Sequence, residues 1–182
     1  EIADRDWSSD VCSSDLFEKE TFNVIGVAAT DAQTVALYTA WTKRMKEDRG
    51  LKFQLVAYNT AADDEGVINV ASTVTDEGAD AAALVYWVTG AQAGCQLGKS
   101  LTNFPYDGEY TVDVSRTQAQ LEDAIQSGQF VFHQVSEDEV HVLSDVNSLL
   151  TYTDTKSELF SKNDTIRTID YLAMQTAYIF NN

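Results

Sequence analysis

The chain has 182 residues, 44% of them hydrophobic and 10% aromatic, enough for one domain of ordinary size or one and a half with a sizeable core. Twelve basic residues against 29 acidic ones give a formal net charge of −17, which repels a phosphate backbone and argues against a nucleic-acid partner. No apolar run reaches the roughly 18–20 residues of a membrane span, and no basic-then-apolar leader opens the chain, so a soluble, unexported protein is expected.

The first stretch, "RDWSSDVCSSDL" from Arg5 to Leu16, has neither helical nor strand periodicity. It resembles what one reading frame of a common sequencing-library adapter yields on translation, and residues 1–16 are expected to be non-native on that ground. Leaving them out removes five acids and one base, so −17 becomes −13 and the acidity persists. It also removes Cys12, and Cys95 alone cannot form an intrachain disulfide, which permits a reducing compartment.

"FNVIGVAA", Phe22–Ala29, is a short β-branched run that predicts a strand, followed at once by the N-cap pair Thr30-Asp31. A helix is predicted from Ala32 to Arg49, with Val35, Tyr38, Trp41 and Met45 on its apolar face, bases gathered near its C-terminus, and Gly50 as its stop. "KFQLVAYN", Lys52–Asn59, reads as a second strand, parallel to the first because a helix connects them. After an acidic loop comes a further strand, "VINVAST". The run Asp80–Gly98 is predicted as a buried core helix with Gly90, Gly94 and Gly98 in a small-residue stripe. Asp80, Gln92 and Gln96 oppose the rival reading of that run as a membrane helix.

Ala93-Gly94-Cys95-Gln96-Leu97-Gly98-Lys99-Ser100 fits a relaxed phosphate-loop pattern, with alanine in place of the first glycine. Phosphate loops need a strand entering and a helix leaving, so that loop amides and helix N-terminus converge on the phosphates. Here a helix enters, and Pro105, Asp107-Gly108 and a strand-like Tyr110–Val114 follow. Gly98 is read as a helix stop and Lys99 as a surface charge. "TQAQLEDAIQSG", Thr117–Gly128, predicts a short helix with Leu121, Ala124 and Ile125 inward.

His133 and His141 fall on the two arms of a predicted hairpin, "FVFHQV" and "VHVLSDV". With no acid or cysteine at a matching alternate position, both are expected to face solvent rather than a metal. Asp63, Asp64 and Glu65 lack the alternation of a calcium loop, and Glu137, Asp138 and Glu139 read as a solvated hairpin tip. No nucleophile elbow occurs. No catalytic, cofactor-binding or metal-ligating residue is therefore assigned, and no cofactor is expected. At the far end Asn163-Asp164 is positioned to cap a helix whose stripe Ile166, Ile169, Ala173 and Phe180 runs on without a stop signal, the pattern expected of a fragment. Ile169, Leu172 and Phe180 are expected to be left exposed.

The blocks "FNVIGVAATD", "RMKEDRG", "AAALVYWVTGAQAGCQLGKSLT", "YDGEYTVDV", "GQFVFHQV", "DVNSL" and "SKNDTIRTID" together resemble, in order and spacing, the tail sheath proteins of contractile phages and phage-like bacteriocins. The resemblance implies an α/β fold, a mixed sheet with flanking helices in a subtilisin-like layout without a catalytic triad, followed by the start of an α+β C-terminal domain. It implies that residues 17–153 are most of the central domain and 154–182 the start of the C-terminal one. It further implies a homopolymer of sheath subunits around a tail tube, with baseplate and tail terminator proteins as further partners, assembled in the host cytoplasm and then part of the virion tail. Both terminal arms that link such subunits are absent from this stretch, so interface residues are not assigned. Two other functions fit the residues alone: a nucleotide-binding enzyme acting through Ala93–Ser100, or a monomeric α/β binding module.

Overall fold

The computed structural model describes residues 22–181. The segment 1–16 expected to be foreign, with Cys12, lies outside the described residues.

β1 (Val24–Val27), β2 (Gln54–Tyr58), β3 (Val67–Val70) and β4 (Gln129–Phe130) form a sheet in that order, and every neighbouring pair is parallel. The register pairs Val24 with Gln54 and Leu55 with Val67. Helix α1 (Ala32–Asp48) makes the first crossover. Asp31 opens it by accepting from Thr34 N at 2.8 Å, and Gly50, at φ +68, ends it as expected. Val35, Trp41 and Met45 are buried, as the helical spacing predicts, and pack with Phe53 and with Leu55, Ala57 and Val67 of one sheet face.

The opposite face, carried by Val56, Ile68 and Val70, packs on helix α2 (Leu84–Gly94) and on Val112, Phe130, Phe132 and Val142. Alternate residues of β2 thus feed two cores, one on each side of the sheet. The link from β2 to β3 is a loop without a helix, held by Asp64 accepting from Gly66 N at 2.7 Å.

Helix α3 (Gln118–Gln126) starts in a full capping box, Thr117 with Gln120, and leads through Gly128 (φ +64) into β4. Of its expected inward residues Ala124 is buried, whereas Ile125 is exposed. One residue, Val131, separates β4 from β5 (Phe132–Ser136), which pairs antiparallel with β6 (Glu139–Val142). Parallel and antiparallel pairs are both present, therefore, in two adjoining sheets. A short 3-10 turn (Glu158–Ser161) precedes helix α4 (Asn163–Asn181).

Four local expectations differ. α2 begins at Leu84 because Asp80 folds residues 80–83 into turns, its Oδ1 accepting from Ala82 N and its backbone oxygen from Ala83 N. It ends at Gly94, so Gly98 (φ +72) serves a turn after the helix rather than stopping it. The glycine stripe faces outward, with open space where a Cβ at Gly90 or Gly94 would stand. Finally, Tyr110–Val114 contributes one antiparallel bridge, Val74 with Val112, instead of a full strand.

Candidate functional site

The segment Asp145–Leu149 is irregular and yet wholly buried. It runs beside the first residue of β3, where Ser148 N donates to Val67 O at 2.8 Å, and its Asn147 N donates to Ser161 O at 2.9 Å. Irregular backbone survives burial only when its polar groups find partners, here on other backbone and on side chains. The Asn147 side chain is one such partner, accepting from Leu149 N at 3.1 Å and donating to Phe160 O at 2.8 Å.

Asp145 is the hub. Its Oδ1 accepts from Gln92 Nε2 at 2.6 Å and Asn163 Nδ2 at 2.8 Å, and its Oδ2 from Leu101 N at 2.9 Å and Arg167 NH2 at 3.1 Å. Asp145 is 1% exposed and the Arg167 side chain 8%, so this is a buried ion pair with every carboxylate oxygen bonded. Arg167 also donates to Gln92 Oε1 and, at 2.7 Å, to Lys99 O. Asn163 does not cap α4 with its side chain; it accepts from Gln54 Nε2 at 3.0 Å and donates to Val146 O at 3.0 Å. Gln54 of β2, Gln92 of α2, Asp145 of the buried segment and Asn163 and Arg167 of α4 therefore form one network. Gln54 Oε1 and Arg167 Nε are buried without a partner among the described residues.

One further ion pair fixes the last helix, and another ties down the segment that precedes it. Lys46 of α1 pairs with Asp170 at 3.3 Å, where burial raises the carboxyl above its ordinary range although Lys46 pulls it down. Lys156 pairs with Glu65 at 2.7 Å; burial would raise Glu65, but the Lys156 bond and charge outweigh it and leave it lowered. Beyond these ties α4 leaves the body, with Leu172 57% and Phe180 84% exposed, as the uncovered stripe leads one to expect. Cys95 is a free thiol 3.3 Å from Arg167 NH2, and burial raises its pKa.

The phosphate-loop reading fails on geometry. Ala93 to Ser100 follow a helix, no helix leaves them, and the amides a phosphate needs are taken: Lys99 N by Gln96 O, Leu101 N by Asp145, Thr102 N by Ser100 Oγ. The adjacent cleft, about 650 Å³ and lined by Trp87, Gly94, Lys99, Phe104 and Asp107, is broad, and its Asp107 carboxylate accepts from Trp87 Nε1 at 2.8 Å. Among the described residues no group of three or more His, Cys, Asp or Glu is placed to hold a metal, and no helix is long and apolar enough to cross a membrane. Asp63 is a turn residue, bonded to Leu150 N at 2.6 Å and Thr151 N at 2.8 Å.

The hub residues carry no catalytic signature and were not singled out one by one from the sequence. Their signal was present in two forms. Gln54 and Gln92 interrupt apolar runs, and Asp145 and Arg167 sit in "DVNSL" and "SKNDTIRTID", two of the phrases that carry the family resemblance.

A parallel four-stranded sheet with helices on both faces, and a last helix locked down at its root by a buried polar hub, define a three-layer α/β body. Residues 11–148 match the family described as phage tail sheath protein central domain. The chain belongs to the phage tail sheath family. It is 34% identical over 158 residues to the phage-like element PBSX protein XkdK of Bacillus subtilis strain 168, covering 84% of this chain and 34% of that one. It overlays the sheath tail protein of Desulfitobacterium hafniense with a TM-score of 0.87 at 36% identity, over 96% of this chain and 43% of the other. The contracted helical sheath of the anti-feeding prophage shares the fold, with a TM-score of 0.65 at 14% identity over 96% of this chain and 53% of that one. The chain spans about a third of the length of the curated relatives it matches first.

Proposed function

We propose that the complete protein is the subunit of a contractile tail sheath, which polymerises as stacked rings around a tail tube and contracts to drive that tube through a cell envelope. Its partners are further copies of itself, the tube protein, and the baseplate and tail terminator proteins. Assembly takes place in the host cytoplasm, and the finished polymer is part of the tail. In this reading residues 17–153 are most of the central domain and 154–182 begin the C-terminal domain that lies nearest the tube. The subunit's work is mechanical, and it carries no catalysis.

The observation that supports this best is the hub. A part that transmits force needs its domains joined by contacts that do not slide, and Asp145 ties the start of the C-terminal helix to two elements of the central body through directed bonds. Apolar packing alone is non-directional and would allow that helix to shift. The test is to express the complete protein together with the tube protein of the same source and to examine the product by electron microscopy. Helically ordered sheathed tubes are the expected outcome; discrete, soluble particles of one subunit each would overturn the reading.

A further inference from the structure

β5 and β6 set His133 and His141 directly opposite each other in their antiparallel ladder. Opposed residues share a face and hold their Cβ atoms about 4.5–5.5 Å apart. Both side chains are half-buried, so solvent reaches them. His141 Nδ1 lies 2.9 Å from the backbone oxygen of Asn103 and 3.2 Å from its Oδ1. A carbonyl oxygen can only accept, so this nitrogen carries the proton and the lone pair of the neutral ring is on Nε2. Asn103 is itself fixed to the hairpin, its N donating to Val142 O at 2.8 Å. A ring whose second nitrogen donates to an anchored carbonyl is the arrangement that fixes tautomer and orientation in metal-bound histidines.

We propose that His133 and His141 form a two-imidazole site for a transition-metal dication of the zinc or nickel type, bound through His141 Nε2 and one ring nitrogen of His133, with water in the remaining positions. Two nitrogens each about 2.0–2.1 Å from a tetrahedral ion stand roughly 3.3 Å apart, a separation that rotation of the His133 side chain can reach from the opposed strand position while His141 keeps its bond to Asn103. Imidazole suits such ions, whereas magnesium and calcium require oxygen ligands that this pair does not supply. Because no third His, Cys, Asp or Glu joins the pair among the described residues, the site keeps open positions and exchanges its ion freely. The net charge of −17, with Glu137, Asp138 and Glu139 at the adjoining turn, raises the local concentration of cations. Occupancy would clamp the hairpin that adjoins the main sheet.

Isothermal titration of the complete protein with zinc chloride and nickel chloride, with magnesium chloride as the hard-ion control, tests this. One zinc or nickel ion per chain is expected, with no heat from magnesium. His133→Gln and His141→Gln are each expected to weaken binding at least about tenfold, since losing a ligand costs more than losing an outer-shell partner. Circular dichroism checks that each variant keeps its fold. Nitrogen-15 spectra of the unsubstituted protein give an independent reading: on adding zinc the His141 Nε2 signal moves while Nδ1 stays protonated. Absence of stoichiometric binding, retention of binding in both variants, or an unmoved Nε2 signal would overturn the site.

Discussion

Asp145 accepts four hydrogen bonds while only 1% exposed, and one of them comes from a buried guanidinium. Asp145→Ala strands that charge and is expected to cost about 3–5 kcal/mol, whereas Asp145→Leu combined with Arg167→Met removes both charges and is expected to cost clearly less. Denaturant unfolding of the three proteins measures the difference, and equal losses would show the pair to be uncoupled. Gly128 is a second single-residue constraint. It sits at φ +64, and an added Cβ would come within 2.9 Å of Asn147 O, so Gly128→Ala is expected to lose about 1–3 kcal/mol by the same assay. Asp63 gives a pH dependence. The Thr151 hydroxyl first, then the Leu150 and Thr151 amides, lower its pKa. A carboxylate whose folded pKa is depressed contributes stability that is present above its unfolded pKa, near 3.9, and is lost as pH falls through the lower folded value. Asp63→Asn is therefore expected to lower stability at neutral pH and to flatten the acid limb, which thermal melts at stepped pH would record. At this scale the sequence was only partly legible. Gly50 and Asp31 announce their roles by type and position, since αL stops and N-caps are local chemistry. The partners of Asp145 lie 18 to 53 residues away, and no local pattern encodes them.

At the scale of elements, α1 and β1 to β3 were readable because each has a clean period and a clear boundary signal. α2 was not bounded correctly. Its sequence is apolar on nearly every side, so periodicity could not place its ends, and the turn made by Asp80 decides where the helix starts. The short run Tyr110–Val114 alternates like a strand but forms a single bridge, Val112 with Val74, whose position a single sequence cannot reveal. The contact between β1 and α2 yields a further expectation. A Cβ at Gly26 would collide with the Thr89 hydroxyl, which is itself bonded to Val85 O at 2.6 Å. Gly26→Ala is expected to cost about 1–3 kcal/mol through overpacking. Thr89→Ala in the same chain should recover part of that loss, and additive losses would show that the two elements do not meet closely there.

For the whole molecule, the organisation is a three-layer body, an adjoining hairpin, and a final helix that is tied down at its root and uncovered toward its tip. The α/β class was legible from order and spacing; the locking of the helix was not, because it depends on polar residues brought together from four separate segments. In the proposed function, that locking makes the body and the helix move as one part. The most direct test measures the distance between spin labels at Leu37→Cys on α1 and Gln175→Cys on α4, in spin-diluted sheaths of the complete protein, extended and contracted. The expected result is one distance in both states, with the helix carried along by the body. A change of one helical turn, about 5.4 Å, or more would contradict the account, because the hub would then have to break and re-form during contraction.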